Sequence, residues 1–148
     1  MHVRTYVLDI VFGMEINRDL FIEVFEMNRS ALAMPDNSSG TLCMYTCEDK
    51  YMFDCFFVQK RIEKVGDIKK DTIVVLKDDG MAGGILIFTE KAVFLFHGPI
   101  VKEVSYADIS WKENGLVLGR FPCPVLSVNQ YVLRSILEKV ITYNEKAV

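Results

Sequence analysis

Residues 72–106 read TIVVLKDDGMAGGILIFTEKAVFLFHGPIVKEVSY, and this stretch decides the fold class. Three apolar runs at 72–77, 84–89 and 92–96 are rich in β-branched and aromatic residues and are separated by turn-forming residues, which is typical of consecutive β-strands. A fourth run, at 100–106, alternates like a half-buried strand. Because a parallel pair needs a crossover of about a dozen residues or more, these short connections predict an antiparallel meander.

Two further hairpins are predicted on either side of the meander. Residues 109–112 and 116–119 flank Asn114-Gly115, and Asn-Gly is the strongest short-range hairpin signal. Upstream, Thr41–Cys47 and Tyr51–Val58 are β-like runs joined by three polar residues, which also favours a hairpin. The middle of the chain therefore predicts a β-rich core.

The amino-terminal part of the chain predicts a strand followed by a helix. Residues 3–12 are rich in β-branched and aromatic residues and indicate the strand. Asn17 can cap the helix, and the helix should end before Pro35, because the residue preceding a proline disfavours helical backbone angles.

The carboxyl-terminal segment predicts a second, amphipathic helix. Ser127 and Gln130 match a capping box, and Leu126 and Tyr131 are spaced to form its hydrophobic staple. The apolar residues of this helix form one broad stripe, which should cover one face of the sheet. The apolar stripe consists of Val132, Leu133, Ile136, Leu137, Val140 and Ile141.

Together these elements predict one α+β domain over residues 1–148, with a largely antiparallel sheet or a partly open barrel. Residues 1–40 would form a strand–helix extension, and residues 41–148 a β-rich core closed by the last helix. No apolar run approaches the ~18 residues of a membrane span. Asp9 interrupts the first apolar stretch, which is unlike a signal peptide. We therefore expect a cytoplasmic protein.

The charge distribution indicates the kind of partner to expect. The chain has a net charge of −3, but residues 1–59 alone carry nine acidic and four basic residues, a net charge of −5. An acidic segment disfavours nucleic acid and is compatible with a basic protein partner. The candidate partner-binding residues, on the polar face of the first helix and in the first predicted hairpin turn, are Asp19, Glu23, Glu26, Glu48 and Asp49.

The segments GILIFTEKAVFLF, KEVSYADIS and NGLVLG, followed by one amphipathic helix, resemble small bacterial members of the pleckstrin-homology-like superfold over residues 72–145. The resemblance implies a barrel that binds lipid head groups or peptides rather than a catalyst. Lipid-binding members of that superfold use basic residues in an early strand–loop–strand unit. The corresponding loop here carries Glu48 and Asp49 beside Lys50, and residues 1–40 precede the pattern as an extra unit.

One enzyme signature is present. Pro35-Asp36 and Glu48-Asp49-Lys50 match P-D-x11-E-x-K, which resembles the metal-dependent nucleases. There Asp36 and Glu48 would bind Mg²⁺, and Lys50 would stabilise the phosphate. The nuclease core places these groups on adjacent strands, whereas here Asp36 opens a loop and Glu48 lies in a predicted turn. A helix stop followed by a polar turn is the favoured interpretation.

The other motifs favour structural roles. Gly80–Gly84 lacks the G-K-[ST] ending of a phosphate loop and precedes a strand, so it predicts a hairpin turn. His97 has no nucleophile at a suggestive spacing, and Trp111 is expected to be a core residue. The cysteine spacing closes no zinc site, so we expect buried, reduced thiols and neither metal nor cofactor. The cysteines are Cys43, Cys47, Cys55 and Cys123.

These observations favour a non-catalytic protein-binding protein. The specific hypothesis is a bacterial toxin-neutralising (immunity) protein, which covers the basic surface of a toxin domain with carboxylates. One alternative is a regulatory domain, similar to the pleckstrin-homology-like class, that binds lipid or peptide. The second alternative is the Mg²⁺-dependent nuclease. The basic residues available to the lipid- or peptide-binding alternative are Lys60, Arg61, Lys64, Lys69 and Lys70.

Overall fold

The computed structural model shows an α+β fold, as the sequence predicts. Within the residues that it describes, two α-helices accompany eight antiparallel strands, which form two sheets and not one closed barrel. The predicted strands at 3–12 and Tyr51–Val58 lie outside those residues. The described ranges are 15–34, 41–49, 68–79, 83–113 and 115–147.

The larger sheet confirms the predicted meander over residues 72–104, and the strand at 41–46, predicted to pair with 51–58, pairs with the first strand of that meander. Its strands follow one another in chain order, and each pairs antiparallel with the next. The second and third strands pair antiparallel, while residues 80–82 of the glycine-rich segment between them lie outside the described residues. The strands are β1 (Thr41–Thr46), β2 (Thr72–Asp79), β3 (Ile85–Thr89), β4 (Val93–His97) and β5 (Ile100–Val104).

A three-stranded sheet follows, composed of β6 (Ile109–Lys112), β7 (Gly115–Leu118) and β8 (Phe121–Pro122). The Asn-Gly hairpin is confirmed, since Lys112 pairs with Gly115. Gly115 has a φ of 113°, and a Cβ there would lie 2.6 Å from the Gln130 side-chain oxygen, so this position requires glycine.

The first helix, α1 (Arg18–Leu32), begins as predicted. The Asn17 side chain accepts a hydrogen bond from the Leu20 N–H at 2.9 Å and so caps the helix. The helix ends at Leu32, where Ala33 turns to an extended backbone conformation before Pro35. The second helix, α2 (Gln130–Ala147), packs against α1.

The predicted start of α2 is wrong in its capping residues. Asn129 caps the helix, and its side-chain oxygen accepts from the N–H groups of Tyr131 and Val132 at 3.1 and 3.3 Å. Gln130 accepts instead from the Leu116 N–H on β7, at 3.0 Å. The predicted box fails because each partner makes a bond to a distant part of the chain.

The predicted staple is wrong for a related reason. Ser127 is turned away from the helix start and donates its hydroxyl to buried Asp78. Leu126 and Tyr131 are 66% and 87% exposed, so neither side chain is buried against the other. Two large apolar side chains are therefore exposed to solvent, whereas the sequence predicts that they pack against each other as a hydrophobic staple.

Two apolar clusters lie on the two faces of the larger sheet, because successive side chains of a strand point to opposite faces. The first cluster contains Leu76 and Leu86 together with the inner faces of both helices. The second contains Val75 and Ile87. All five residues of β3 are buried, which fits a central strand covered on both faces. The predicted apolar stripe of α2 is confirmed as buried at Leu133, Ile136, Leu137 and Val140.

Candidate functional site

The acidic residues predicted on the first helix do lie together in solvent. We call Asp19, Glu23 and Glu26 the acidic face; all three side chains are exposed. They point outward because Phe21 and Phe25, at the intervening positions of α1, are each only 1% exposed in the core. Helical periodicity therefore places three carboxylates along one solvent-facing surface.

The carboxylates of the acidic face differ in their partners. Glu26 Oε1 lies 3.0 Å from Arg29 Nη1, in an ion pair one turn apart that is partly open to solvent. Asp19 and Glu23 form no ion pair with any other residue that the structure describes. Exposed pairs are weak, so the charge of Glu26 is only partly offset. The acidic face keeps a negative charge at its amino-terminal end.

Arg29 is held against the body of the protein. Its Nη2 donates to the Met44 carbonyl oxygen of β1 at 3.0 Å, and its guanidinium lies 5.6 Å from the centre of the Phe25 ring. These contacts fix the cation beside α1, where it links the helix to the sheet. Arg29 therefore orients Glu26 and does not extend from the surface to compete for a partner.

Met27 is an exposed apolar residue next to the carboxylates, and the sequence reasoning missed it. Its side chain is 76% exposed, and it lies one turn from Glu23 on the same helix. Methionine is enriched at the centres of protein interfaces, where it adapts to different partners. The signal was available, because Met27 lies outside the 3.6-residue apolar stripe of α1.

Glu48 and Asp49 occupy the turn that follows β1. The Asp49 carboxylate accepts a hydrogen bond from the Thr46 N–H at 2.7 Å, so it supports the turn. Glu48 is exposed, and its N–H donates to the Thr46 hydroxyl at 3.3 Å. Among the described residues, no hydrogen bond or ion pair joins either carboxylate to the acidic face. Asp49 therefore has a structural role in the turn, and Glu48 is the carboxylate of this pair that is exposed to solvent.

A second surface feature lies where α1 ends and α2 begins. A cavity of about 600 Å³ opens there, and we call it the apolar groove. Its most exposed apolar walls are Leu126 and Tyr131, and Met34, 40% exposed, forms another wall. None of the described residues that line it is charged. The remaining lining residues are Pro122, Cys123, Val128, Asn129 and Gln130.

A buried carboxylate gives the groove its shape. Asp78, 5% exposed at the end of β2, accepts hydrogen bonds from the N–H groups of Leu126 and Ser127 at 2.8 and 2.9 Å, and from the Ser127 hydroxyl. The Ser127 carbonyl oxygen in turn accepts from the Met34 N–H at 3.1 Å. These bonds hold the backbone of two walls of the groove in place.

Cys123 lies at the base of the groove. Burial raises the pKa of its thiol, and the Sγ atom donates to the Val125 carbonyl oxygen at 3.4 Å. A protonated thiol is a poor nucleophile, which argues against a catalytic cysteine here. Burial is confirmed for Cys123, whereas Cys43 and Cys47 are half-buried and Cys55 lies outside the described residues.

The nuclease motif cannot be assembled from the described residues. Asp36 and Lys50 lie outside them, and Glu48 is in a solvent-exposed turn. Within the described ranges, no three His, Cys, Asp or Glu side chains come close enough together to hold a metal ion. His97 is exposed at the end of β4.

The basic stretch proposed for lipid or peptide binding is only partly described. Lys60, Arg61 and Lys64 lie outside the described residues. Lys70 is exposed, and its carbonyl oxygen accepts from the Arg18 guanidinium. Trp111, predicted as core, is half-buried against the first cluster, with the Arg134 guanidinium 5.5 Å from its ring centre.

Comparison of the chain with protein-family models, with curated proteins and with solved structures finds no match. Within the described ranges, neither helix has the length and apolar character needed to cross a bilayer.

Proposed function

We propose that this chain is a non-catalytic, cytoplasmic protein-binding protein whose acidic face contacts a basic surface on another protein. The observation that supports the proposal is the exposure of Asp19, Glu23 and Glu26 along one helix, with exposed Met27 beside them. The proposed biological role is that of a toxin-neutralising (immunity) protein, which blocks a toxin domain by covering its lysines and arginines.

The chemistry of this surface suits fast and selective association. Carboxylates arranged on one side attract a basic partner during diffusion and raise the rate of encounter. Met27 offers an apolar contact that loses water when the partner arrives, while the carboxylates at the rim restrict which partners can approach. Such a surface needs no bound cofactor to work.

The test is a charge reversal on the acidic face. Capture from the native host identifies the partner, which is then titrated against the wild type and the Glu23→Lys/Glu26→Lys variant. We expect slower association and weaker binding, with a difference that shrinks as salt rises, because exposed charges are screened over ~8 Å at physiological ionic strength. Stability should change by only about 0.5 kcal/mol, as for most surface substitutions.

A matched control separates local from overall charge. Glu103 on β5 and Glu113 after β6 are both exposed, so Glu103→Lys/Glu113→Lys changes the net charge by the same amount on other elements. We expect this variant to bind nearly as well as the wild type. Equal affinity for the two reversals and the wild type would exclude the acidic face as the binding surface.

Two further assays test the alternative functions, the nuclease and the lipid-binding domain. Mg²⁺-dependent cleavage of DNA or RNA that Asp36→Ala or Glu48→Ala abolishes would favour the nuclease. Binding to anionic vesicles that is lost on substitution of Lys60, Arg61 and Lys64 would favour a lipid-binding domain.

A further inference from the structure

The charged side chains next to the apolar groove are basic. A smaller cavity of about 180 Å³ adjoins the groove, since Pro122 lines both, and we call it the basic notch. Lys112 and Arg120 line the notch, both residues are exposed, and no acidic residue is among its described walls. The groove therefore borders a cationic surface. The remaining walls of the notch are Gly115, Leu116 and Val117.

The two cations of the notch have no anionic partner within the described part of the chain. Each ion pair found there uses a different cation, and neither Lys112 nor Arg120 takes part in one. Cations that line a concave surface raise the local concentration of anions. Arginine can also bind a carboxylate through two parallel hydrogen bonds. The notch thus has the chemistry of a carboxylate-binding site.

A third cation lies near an exposed wall of the groove. Arg134 follows Tyr131 by three residues on α2, so the two side chains are neighbours on the helix surface. The Arg134 guanidinium lies 5.5 Å from the centre of the Trp111 ring, and its Nε lies 2.7 Å from Glu138 Oε1. That ion pair is exposed and therefore weak, so it offsets the charge only in part. Cations are thus placed near two walls of the groove, Pro122 and Tyr131.

Hydrogen bonds between their walls hold the groove and the notch together. The side chain of Gln130, in the groove, accepts from the Leu116 N–H, in the notch, at 3.0 Å. The Leu116 carbonyl oxygen accepts from the N–H of Cys123, at the base of the groove, at 3.0 Å. A preorganised site loses little conformational entropy on binding, so more of the contact energy appears as affinity. The two cavities therefore form one composite site.

The chemistry of this composite site defines its occupant. The described lining of the groove is uncharged and mainly apolar, so it accepts an apolar side chain. Leu126 and Tyr131 are 66% and 87% exposed, so the groove is open, which favours a segment of another protein over an enclosed small molecule. The neighbouring cations favour aspartate or glutamate beside the apolar side chain.

We propose that the apolar groove binds a large apolar side chain from an acidic segment of another protein, and that the basic notch binds carboxylates flanking that side chain. This inference goes beyond the proposed function, because it uses a different surface and requires the opposite charge in the partner. The apolar groove provides the anchor point, and the cations restrict which segments can bind there.

Three defined peptides test the anchor and the charge separately. The acidic leucine peptide has two central leucines flanked by glutamates. The acidic serine peptide has serines in place of the leucines, and the basic leucine peptide has lysines in place of the glutamates. We expect the wild-type protein to bind the acidic leucine peptide about tenfold more tightly than either of the others, because each of those lacks the anchor or the ion pairs. Equal affinity for the two leucine peptides, or no binding of any peptide, would overturn the proposal.

Neutralising the notch tests the role of its cations. We expect Lys112→Gln/Arg120→Gln to weaken binding of the acidic leucine peptide about three- to tenfold and to reduce its salt dependence. The matched control is Lys91→Gln/Lys139→Gln, which removes the same charge from exposed residues between β3 and β4 and farther along α2. The control should bind nearly as well as the wild type. Equal weakening by both variants would refute the notch as the binding site.

Removing the exposed apolar walls tests the anchor. We expect Leu126→Ser/Tyr131→Ser to weaken binding of the acidic leucine peptide about tenfold or more, as loss of an interface anchor does. Ile100→Ser, which removes an exposed apolar side chain from β5, is the control and should leave binding unchanged. An anchor variant that binds as tightly as the wild type would overturn the assignment of the groove.

A further measurement needs no variant that could misfold. In the wild-type protein labelled at its methionine methyl groups, the acidic leucine peptide should shift the signal of Met34, which lines the groove, and leave that of Met27 on α1 in place. Assignment uses Met34→Leu and Met27→Leu. A Met34 signal that ignores the peptide would refute binding in the groove.

The outcomes separate this inference from the proposed function. Glu23→Lys/Glu26→Lys alters the acidic face and should not weaken binding of the acidic leucine peptide. Weaker binding by that variant, with no effect of the notch variant, would refute the composite site and leave the proposed function standing. Sedimentation that shows a dimer of the wild type, broken by Leu126→Ser/Tyr131→Ser, would assign the groove to a second copy of the chain and refute the proposal.

Discussion

Replacement of Asp78 by asparagine should destabilise the fold strongly, although the two side chains have nearly the same shape. Asp78 is 5% exposed, and its carboxylate accepts three hydrogen bonds, two from backbone N–H groups and one from the Ser127 hydroxyl. An asparagine side chain has one oxygen that accepts and one NH₂ group that donates. The NH₂ group would face an N–H or O–H donor that the carboxylate of Asp78 accepts from. At least one buried group is left without its acceptor.

The size of the effect follows from those bonds. A hydrogen bond to a charged group contributes about 1.5–3 kcal/mol, and a buried donor without a partner costs about 1–3 kcal/mol. We therefore expect Asp78→Asn to lower the free energy of unfolding by about 2–4 kcal/mol. Ser127→Ala removes only one of the three bonds, so we expect a loss of about 1.5–3 kcal/mol.

Urea unfolding followed by circular dichroism measures both losses. Asp79→Asn is the matched control, because Asp79 is adjacent in sequence and exposed, and it should change stability by no more than about 0.5 kcal/mol. In the Asp78→Asn/Ser127→Ala double variant the losses should be less than additive, since the two residues share a bond. Equal midpoints for Asp78→Asn and Asp79→Asn would refute the reasoning.

Three further predictions concern α2 and the core. Asn129→Ala should destabilise by about 0.5–2 kcal/mol in urea unfolding, because it removes the helix cap. Leu137→Ala should cost about 2–5 kcal/mol, whereas Leu126→Ala, the same change at an exposed site, should be nearly neutral. Burial raises the pKa of Tyr106 well above its ordinary value, so the unfolded state loses that proton first and stability should fall as the pH rises above about 10. Tyr106→Phe should lose its 2.6 Å bond to Thr89 yet show a flatter decline in alkaline urea melts; an unchanged slope would contradict this.

The strands were predictable because their signals are local. The apolar runs between residues 72 and 119 are short and β-rich, and the turns between them carry their own glycine, asparagine and proline signals. The one described strand that was missed, Phe121–Pro122, follows this region, has only two residues and forms through pairing with Val117 and Leu118. Two residues are too few to show the alternation of apolar and polar side chains by which a strand is recognised in a sequence.

The start of α2 was mispredicted because its bonds are not local. Ser127 satisfies the spacing of a capping box. However, Asp78, 49 residues earlier, is buried beside it and accepts hydrogen bonds from both its hydroxyl and its N–H. A buried carboxylate without partners would be very costly, so its requirement outweighs a helix cap that Asn129 can supply. Spacing within a helix carries no information about a residue on a distant strand.

The two parts of the candidate surface differ in the same way. The acidic face follows from helical period alone, since Asp19, Glu23 and Glu26 share one side of α1. The apolar groove joins residue 34 to residues 122–131, and these meet only because α1 and α2 pack together. The sequence assigned Leu126 and Tyr131 to a closed contact, and only the tertiary structure reveals that they are exposed.

The acidic face can be altered without disturbing the fold, because other residues hold α1 in place. Asn17 caps its start, Arg18 Nε lies 2.9 Å from Glu90 Oε1, and the Leu32 carbonyl oxygen bonds to Asn129 at its end. Charge reversal should therefore change the salt-dependent rate of association while stability stays nearly constant. Loosening Asp78 should do the opposite, lowering stability and freeing the backbone of Leu126. Asp78→Asn should also leave the salt dependence of association with the partner unchanged, because Asp78 is buried and does not belong to the acidic face. A change in that dependence would contradict the assignment of the binding surface to the acidic face.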